Sequence, residues 1–110
     1  MITKTLEVIK MKSPNDHLNK PSIAIEYCTG CRWLPRSAWI AQELLYTFKG
    51  EIKEVSLRPN LNESGCFQIS SGGALIWCRE RDKGFPEIKI LKQKIRDFIA
   101  PGKELGHSES

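Results

Sequence analysis

No stretch of this sequence stays apolar for anything near the roughly 20 residues that a bilayer-spanning helix needs, so no membrane association is expected. Its start, MITKTLEVIKMKSPNDHLNKP, has neither the apolar run nor the small-residue cleavage site of a secretory leader, and the cytosol is the expected compartment. An excess of one charge is also missing. Seventeen basic against 13 acidic residues leave a net charge of +4, and no stripe alternates aromatic with basic side chains, so a nucleic-acid partner is not expected. Histidine is scarce: His17 and His107 are the whole supply, and both fall in segments that read as mobile, which argues against either as a catalytic base.

What is present in unusual form is cysteine. A chain of 110 residues can bury a single core without disulfide staples, so folding does not account for four cysteines. In a reducing compartment thiols stay reduced unless they cycle or bind metal. Two of them, Cys28 and Cys31, stand in the run EYCTGCRW, where a strand-like pattern gives way to a helical one.

The pattern around them predicts the architecture. Residues 1–20 read as an extension in which TLEVIKM alternates over a few positions and could add a short strand. SIAIEY puts Ile23, Ile25 and Tyr27 on one side, the period of a strand. Ala38, Ala41, Leu44, Leu45 and Phe48 recur at helical spacing, with Gly50 where a C-terminal cap would stand and Pro35 in the approach, so a bend just after Cys31 is expected. EIKEVSLRP reads as a second strand with Val55 and Leu57 on one face, and NLNESG as a loop. CFQIS and ALIWC flank SGG, a hairpin signal, because glycine accepts the positive φ of tight turns. RERDKGFP is a charged connection. Ile88, Leu91, Ile95, Phe98 and Ile99 then mark a second amphipathic helix, stopped by Pro101 and Gly102 before the tail KELGHSES. A strand–helix–strand unit of this length implies a parallel crossover. With a hairpin and a last helix it predicts an α/β, thioredoxin-like domain over residues 21–101, with a four-stranded mixed sheet and a mobile tail at 102–110.

The CxxC pair can be read in three ways. On a helix, residues three apart share a face and their Cα atoms lie about 5–6 Å apart, inside the roughly 4.4–6.8 Å that a disulfide accepts. At a strand's carboxyl end and a helix's start, unpaired N–H groups favour thiolate over thiol, and Arg32 and Arg36 would add to that field. The gain is large: a thiol of pKa about 8.5 is roughly 3% ionised at pH 7, and one of pKa about 7 is half ionised. Zinc is the second reading, but a tetrahedral site needs two more ligands, and Cys66, Cys78, His17 and His107 form no second close pair. The third is incidental burial, since free cysteine is a common small core residue. Redox exchange, with no bound cofactor or metal, is the reading adopted for Cys28 and Cys31.

Other residues carry blander expectations. Cys66 and Cys78 flank the hairpin; a two-residue turn sets them on opposite faces, whereas the three-residue loop Ser71–Gly73 sets them opposite each other. Tyr27, Trp33, Trp39 and Trp77 read as core or near-core aromatics, with Trp33 a candidate docking residue beside the thiols. Glu26, two residues before Cys28, is a candidate proton acceptor or simply a solvated strand-end carboxylate.

SIAIEYCTGCRW, RSAWIAQELL, FQISSGGALIW and GFPEIKILKQKIRDFI together resemble the selenoprotein W-like family, also called the selenoprotein W, T and H or Rdx family, in its bacterial cysteine-containing form. The likeness spans about residues 21–107. It implies a thioredoxin-like fold with CxxC, or its selenocysteine form, as the redox motif. In selenocysteine members that residue takes the second position, here Cys31; sulfur in its place implies lower reactivity. Family analogy favours Cys31 as the attacking residue and the general thioredoxin arrangement favours Cys28. Similar proteins are associated with glutathione and with protein partners. Thioredoxins also place a cis-proline directly before the third strand, where this chain has Cys66 and Phe67 and its nearest proline is Pro59, so docking by that mode is not expected.

These readings lead to a thiol–disulfide redox protein acting on protein or glutathione disulfides. The alternative is a redox-sensitive interaction module whose surface near Trp33, Arg36 and the NLNESG loop binds a protein partner with little turnover.

Overall fold

The computed structural model describes residues 19–105. The expected N-terminal strand, His17 and His107 lie outside them. Strands β1 (Ser22–Cys28), β2 (Glu54–Asn60), β3 (Phe67–Ser71) and β4 (Ala74–Cys78) form one mixed sheet in the order β2-β1-β3-β4. β1 runs parallel to β2 and antiparallel to β3, and β3 and β4 form the hairpin. Helix α1 (Leu34–Thr47) links β1 to β2, a short α2 (Arg79–Asp82) follows β4, and α3 (Ile88–Ile99) closes the domain. The α/β, thioredoxin-like arrangement read from the pattern is the one observed.

Period-2 patterning decides which face of the sheet is dry. Ile23, Ile25 and Tyr27 of β1 and Phe67 and Ile69 of β3 share one core cluster with Leu44 of α1 and Leu91 and Ile95 of α3. Both long helices therefore sit on that face, and burying a side chain such as Leu44 there is worth about 2–3 kcal/mol. The other face carries polar residues of β1, β2 and β3, among them Ser22, Ser56, Arg58 and Ser70, around a shallow cavity. Edge strand β2 holds Pro59 without loss, because it pairs on one side only.

Several local expectations are adjusted by packing. The inward stripe of α1 is Ser37, Ile40, Ala41 and Leu44, continued by Phe48, while Ala38 and Leu45 face solvent. Two overlapping apolar arcs exist on this helix, and the β1–β2 surface takes the one centred on Leu44. Trp39, expected near the core, is 49% exposed on the far side. Phe48, not Gly50, caps α1, its N–H bonding to the Leu44 carbonyl at 2.9 Å. In α3, Phe98 points outward where Leu91 and Ile95 point in. The charged connection contains a helical turn, α2, because Asp82 Oδ2 accepts the Cys78 N–H at 3.0 Å and Lys83 takes a left-handed φ of 66°. Lys103 pairs with Glu51 at 3.4 Å and Leu105 packs on the core, so the chain turns back onto the domain after Pro101.

The interface of α1 with α3 contains a buried cation. Lys92 is 4% exposed and its Nζ lies 2.9 Å from Glu43 Oε1. Glu43→Ala removes this partly exposed ion pair and is expected to lower unfolding stability by about 0.5–1 kcal/mol; chemical denaturation measures it, and a change near zero would show that the pair adds nothing to stability.

Candidate functional site

Cys28 ends β1, and Thr29, Gly30, Cys31 and Arg32 form the turn that follows, with the Arg32 N–H on the Thr29 carbonyl at 3.2 Å. Helix α1 starts at Leu34, so Cys31 lies in the turn ahead of the helix and not on it. Arg32 takes a left-handed φ of 61°, the bend expected after Cys31. It costs a non-glycine residue roughly 1–2 kcal/mol, and turns the chain so that Pro35 can enter the first helical turn.

The turn brings the two cysteines, not bonded to each other, close enough to interact. The Cys31 thiol donates to the Cys28 sulfur, which pulls the Cys28 pKa below the ordinary thiol value. Backbone N–H groups of Gly65, Cys31 and Gly30 act in the same direction, against the opposing effect of burial. The same bond raises the Cys31 pKa, since its proton is shared with Cys28, and burial adds to the rise. Cys28 is 4% exposed and Cys31 more open. The two sulfurs thus differ in both proton affinity and access.

Residues from elsewhere complete the site. Gly65 and Ser64 come from the β2–β3 loop: the Gly65 N–H acts to lower the pKa of both cysteines, and the Ser64 hydroxyl that of Cys31. The Cys28 N–H donates to the Cys66 carbonyl at 2.8 Å, tying the motif to the start of β3 where thioredoxins have cis-proline; no cis peptide occurs among the described residues. NLNESG reads as a plain loop in the sequence. An Asn at a strand end hints at an Asx turn, but no local signal tells which partner the loop will reach.

Of the expected helpers, Arg36 is engaged elsewhere, in a cluster that also holds Arg79. Arg36 lies over the Phe85 ring at 4.1 Å, and Arg79 over Trp33 at 5.0 Å; Trp33 and Phe67 each meet Phe85 edge-on, at 4.8 and 4.9 Å. Trp33 therefore belongs to an aromatic block beneath the motif. Glu26 accepts from Asn60 Nδ2 at 2.7 Å.

The hairpin resolves the second cysteine pair. Its turn is the two-residue Gly72–Gly73, both at positive φ (57° and 85°), which by itself would part Cys66 and Cys78. A register shift between Ile69 and Ser70 inserts one residue and reverses that outcome: Gln68 pairs with Cys78, and Cys66, two residues earlier, shares its face. They sit diagonally, both lining a cavity of about 370 Å³ beside Ser64 and Gly65. Burial pushes the Cys66 thiol up, and Gln68 Nε2 donates to it at 3.7 Å. Among the described residues no three metal-binding side chains cluster, and no helix is long and apolar enough to cross a membrane.

A strand–helix–strand unit with a thiol pair where its first strand ends, followed by a hairpin and helix, defines a thioredoxin-like domain of redox-related function. The chain belongs to the Rdx family, which matches residues 22–97. A crystal structure of a protein from Bordetella parapertussis is 53% identical, with a TM-score of 0.70 over 74% of this chain and 100% of that one. A selenoprotein W-related protein from Vibrio cholerae is 50% identical, with a TM-score of 0.68 over 73% and 98%. No curated protein matches the chain.

Proposed function

We propose that the protein is a thiol–disulfide redox protein in which Cys28 and Cys31 cycle between dithiol and disulfide. The observation that carries this is the unequal pair: a Cys28 sulfur stabilised as thiolate by the Cys31 thiol and the Gly65 N–H, beside a Cys31 that keeps its proton. The Cys28 thiolate attacks a substrate disulfide, forming a Cys28–substrate bond and expelling one thiolate, which takes up a proton. Cys31, once deprotonated, attacks Cys28 Sγ; the mixed disulfide breaks, the second substrate thiol leaves, and a Cys28–Cys31 bond remains. Two electrons have passed to the substrate. Return to the dithiol needs two electrons, for which two glutathione thiols are the proposed donors, leaving as glutathione disulfide, with protein disulfides as substrates and the cytosol as compartment. No bound cofactor enters this cycle. A redox titration in glutathione buffers, read by mass spectrometry, should show the loss of the two thiol hydrogens from the peptide holding Cys28 and Cys31. Failure to form that bridge at any biological potential would overturn the reading.

A second reading is favoured by one observation: Leu61, in the loop that covers the pair, is 82% exposed, and Leu34 beside the motif is exposed too. An apolar rim around a thiol pair suits a redox-switched docking surface for a protein. Multiple turnovers on a generic disulfide that depend on Cys28 support the enzyme; a partner affinity that changes with oxidation, without turnover, supports the switch.

A further inference from the structure

Asn60, the last residue of β2, is where three segments around the thiols meet. Its Nδ2 donates to Glu26 Oε2 on β1 at 2.7 Å. Its Oδ1 accepts the N–H groups of Asn62 and Glu63 at 2.9 and 2.8 Å. Its carbonyl faces the Thr29 N–H and hydroxyl at 3.4 and 3.5 Å. One side chain and one carbonyl thus join β1, the CxxC turn and the loop 61–65. From there the geometry is determined step by step. The Asx turn on Oδ1 folds the loop back, the Cys66 N–H closes on the Glu63 carbonyl at 3.3 Å, and the Cys66 carbonyl receives the Cys28 N–H at 2.8 Å. Between these fixed points Gly65 adopts a φ of 79°, and its N–H acts to lower the pKa of both cysteines.

We propose that Asn60 is a positioning residue of the thiol site: paired with Cys28 in the β1–β2 register, it holds the loop of Ser64 and Gly65 against the CxxC turn, and so governs the reactivity of the pair. The claim deepens the redox reading above and rests on it for its biological meaning, but not for its test. An amide suits this position better than a carboxylate. It donates to Glu26 and accepts from two N–H groups at once, whereas an aspartate could only accept and would set two like charges in contact. The charged groups around it are Glu26 on β1, Arg58 opposite Glu26 in the β1–β2 register, Glu63 in the loop, and Arg79 of α2, whose Nη1 comes within 3.9 Å of where a Gly65 Cβ would stand.

The test is the pH dependence of Cys28 alkylation by iodoacetamide in the full-length reduced protein, resolved by peptide mass mapping, with thermal melts in parallel. Asn60→Ala removes every side-chain bond, and Asn60→Asp keeps the turn but repels Glu26. Both should move the Cys28 midpoint upward. A shift of one unit would lower the neutral-pH rate by up to about threefold, because a loss of thiolate of at most about tenfold is offset by roughly threefold greater nucleophilicity. The double variant Glu26→Gln with Asn60→Asp restores an amide–carboxylate bond at unchanged net charge, and should return the midpoint towards that of the parent. If Asn60→Ala does not fold, the two isosteric variants decide. A lowered Tm with an unmoved midpoint would reduce Asn60 to a brace and overturn the proposal, as would a double variant no better than Asn60→Asp. Absence of a Cys28–Cys31 disulfide in the parent, with the midpoints still shifting, would sink the redox cycle and leave this inference standing.

Discussion

Cys31→Ala is expected to stop turnover and accumulate a mixed disulfide on Cys28, while slowing the formation of that adduct. Two separate roles of one sulfur produce the two effects. As the resolving thiol, Cys31 is the internal nucleophile that frees Cys28; without it, release waits for an external thiol. As a hydrogen-bond donor it is the largest influence holding the Cys28 pKa down. Removing it shifts the onset of Cys28 reactivity to higher pH, since a thiolate that loses a donor ionises later. Cys31→Ser separates the roles: the hydroxyl still donates, so the Cys28 pKa rises less than in Cys31→Ala, yet resolution is equally lost. Stopped-flow alkylation against pH, together with mass spectrometry of the trapped adduct, checks both. Equal Cys28 midpoints in the Ala and Ser variants would remove the donor role, and undiminished turnover in either would remove the resolving role.

The second large effect concerns what the thiol turn stands on. Phe67 is nearly fully buried, follows Cys66 directly, pairs with Tyr27 across the β1–β3 ladder and meets Phe85 edge-on at 4.9 Å. Phe85 in turn supports Trp33 and carries the Arg36 guanidinium. Phe67→Ala leaves a cavity that the rigid sheet cannot collapse around, at a cost of about 3–5 kcal/mol. That is a large share of the 5–15 kcal/mol typical of a domain, and Tm should fall by about 12 °C or more. Phe67→Leu keeps most of the volume and is expected to cost less than about 1.5 kcal/mol. Thermal denaturation of the two variants measures the difference; near-equal losses would mean that the ring contacts, and not the filled volume, carry the stability.

Much of the fold was legible because it follows from short-range rules. Alternation in SIAIEY, the glycine pair of the hairpin and the spacing of Leu91 and Ile95 each point to one element without knowledge of the rest. The resemblance to the selenoprotein W-like family, drawn from four stretches of the chain, agrees with the family match over residues 22–97. Faces were less legible. Leu44 and Leu45 are neighbours with equal apolar claims, and only the surface that α1 rests on puts one in the core and the other in solvent. The same holds for Ile95 and Phe98 in α3. The cysteine pair was legible as a motif, but its electrostatics were not: the motif lies in a turn ahead of α1, Arg36 lies over Phe85, and the groups that lower the Cys28 pKa are the Cys31 thiol and the N–H of Gly65, 34 residues beyond Cys31.

By itself, then, the sequence determined the order of the four strands and two long helices, the sheet's composition, the family and the place of the two thiols in the chain, because periodicity, turn chemistry and motif spacing act over a few residues. Tertiary structure alone decided which arc of each helix is buried, that a bulge returns Cys66 and Cys78 to one face, and that Asn60 folds the β2–β3 loop over Cys28 and Cys31. Those outcomes depend on contacts between residues distant in the chain, where a one-residue shift in register changes every neighbour, and no local pattern encodes the register.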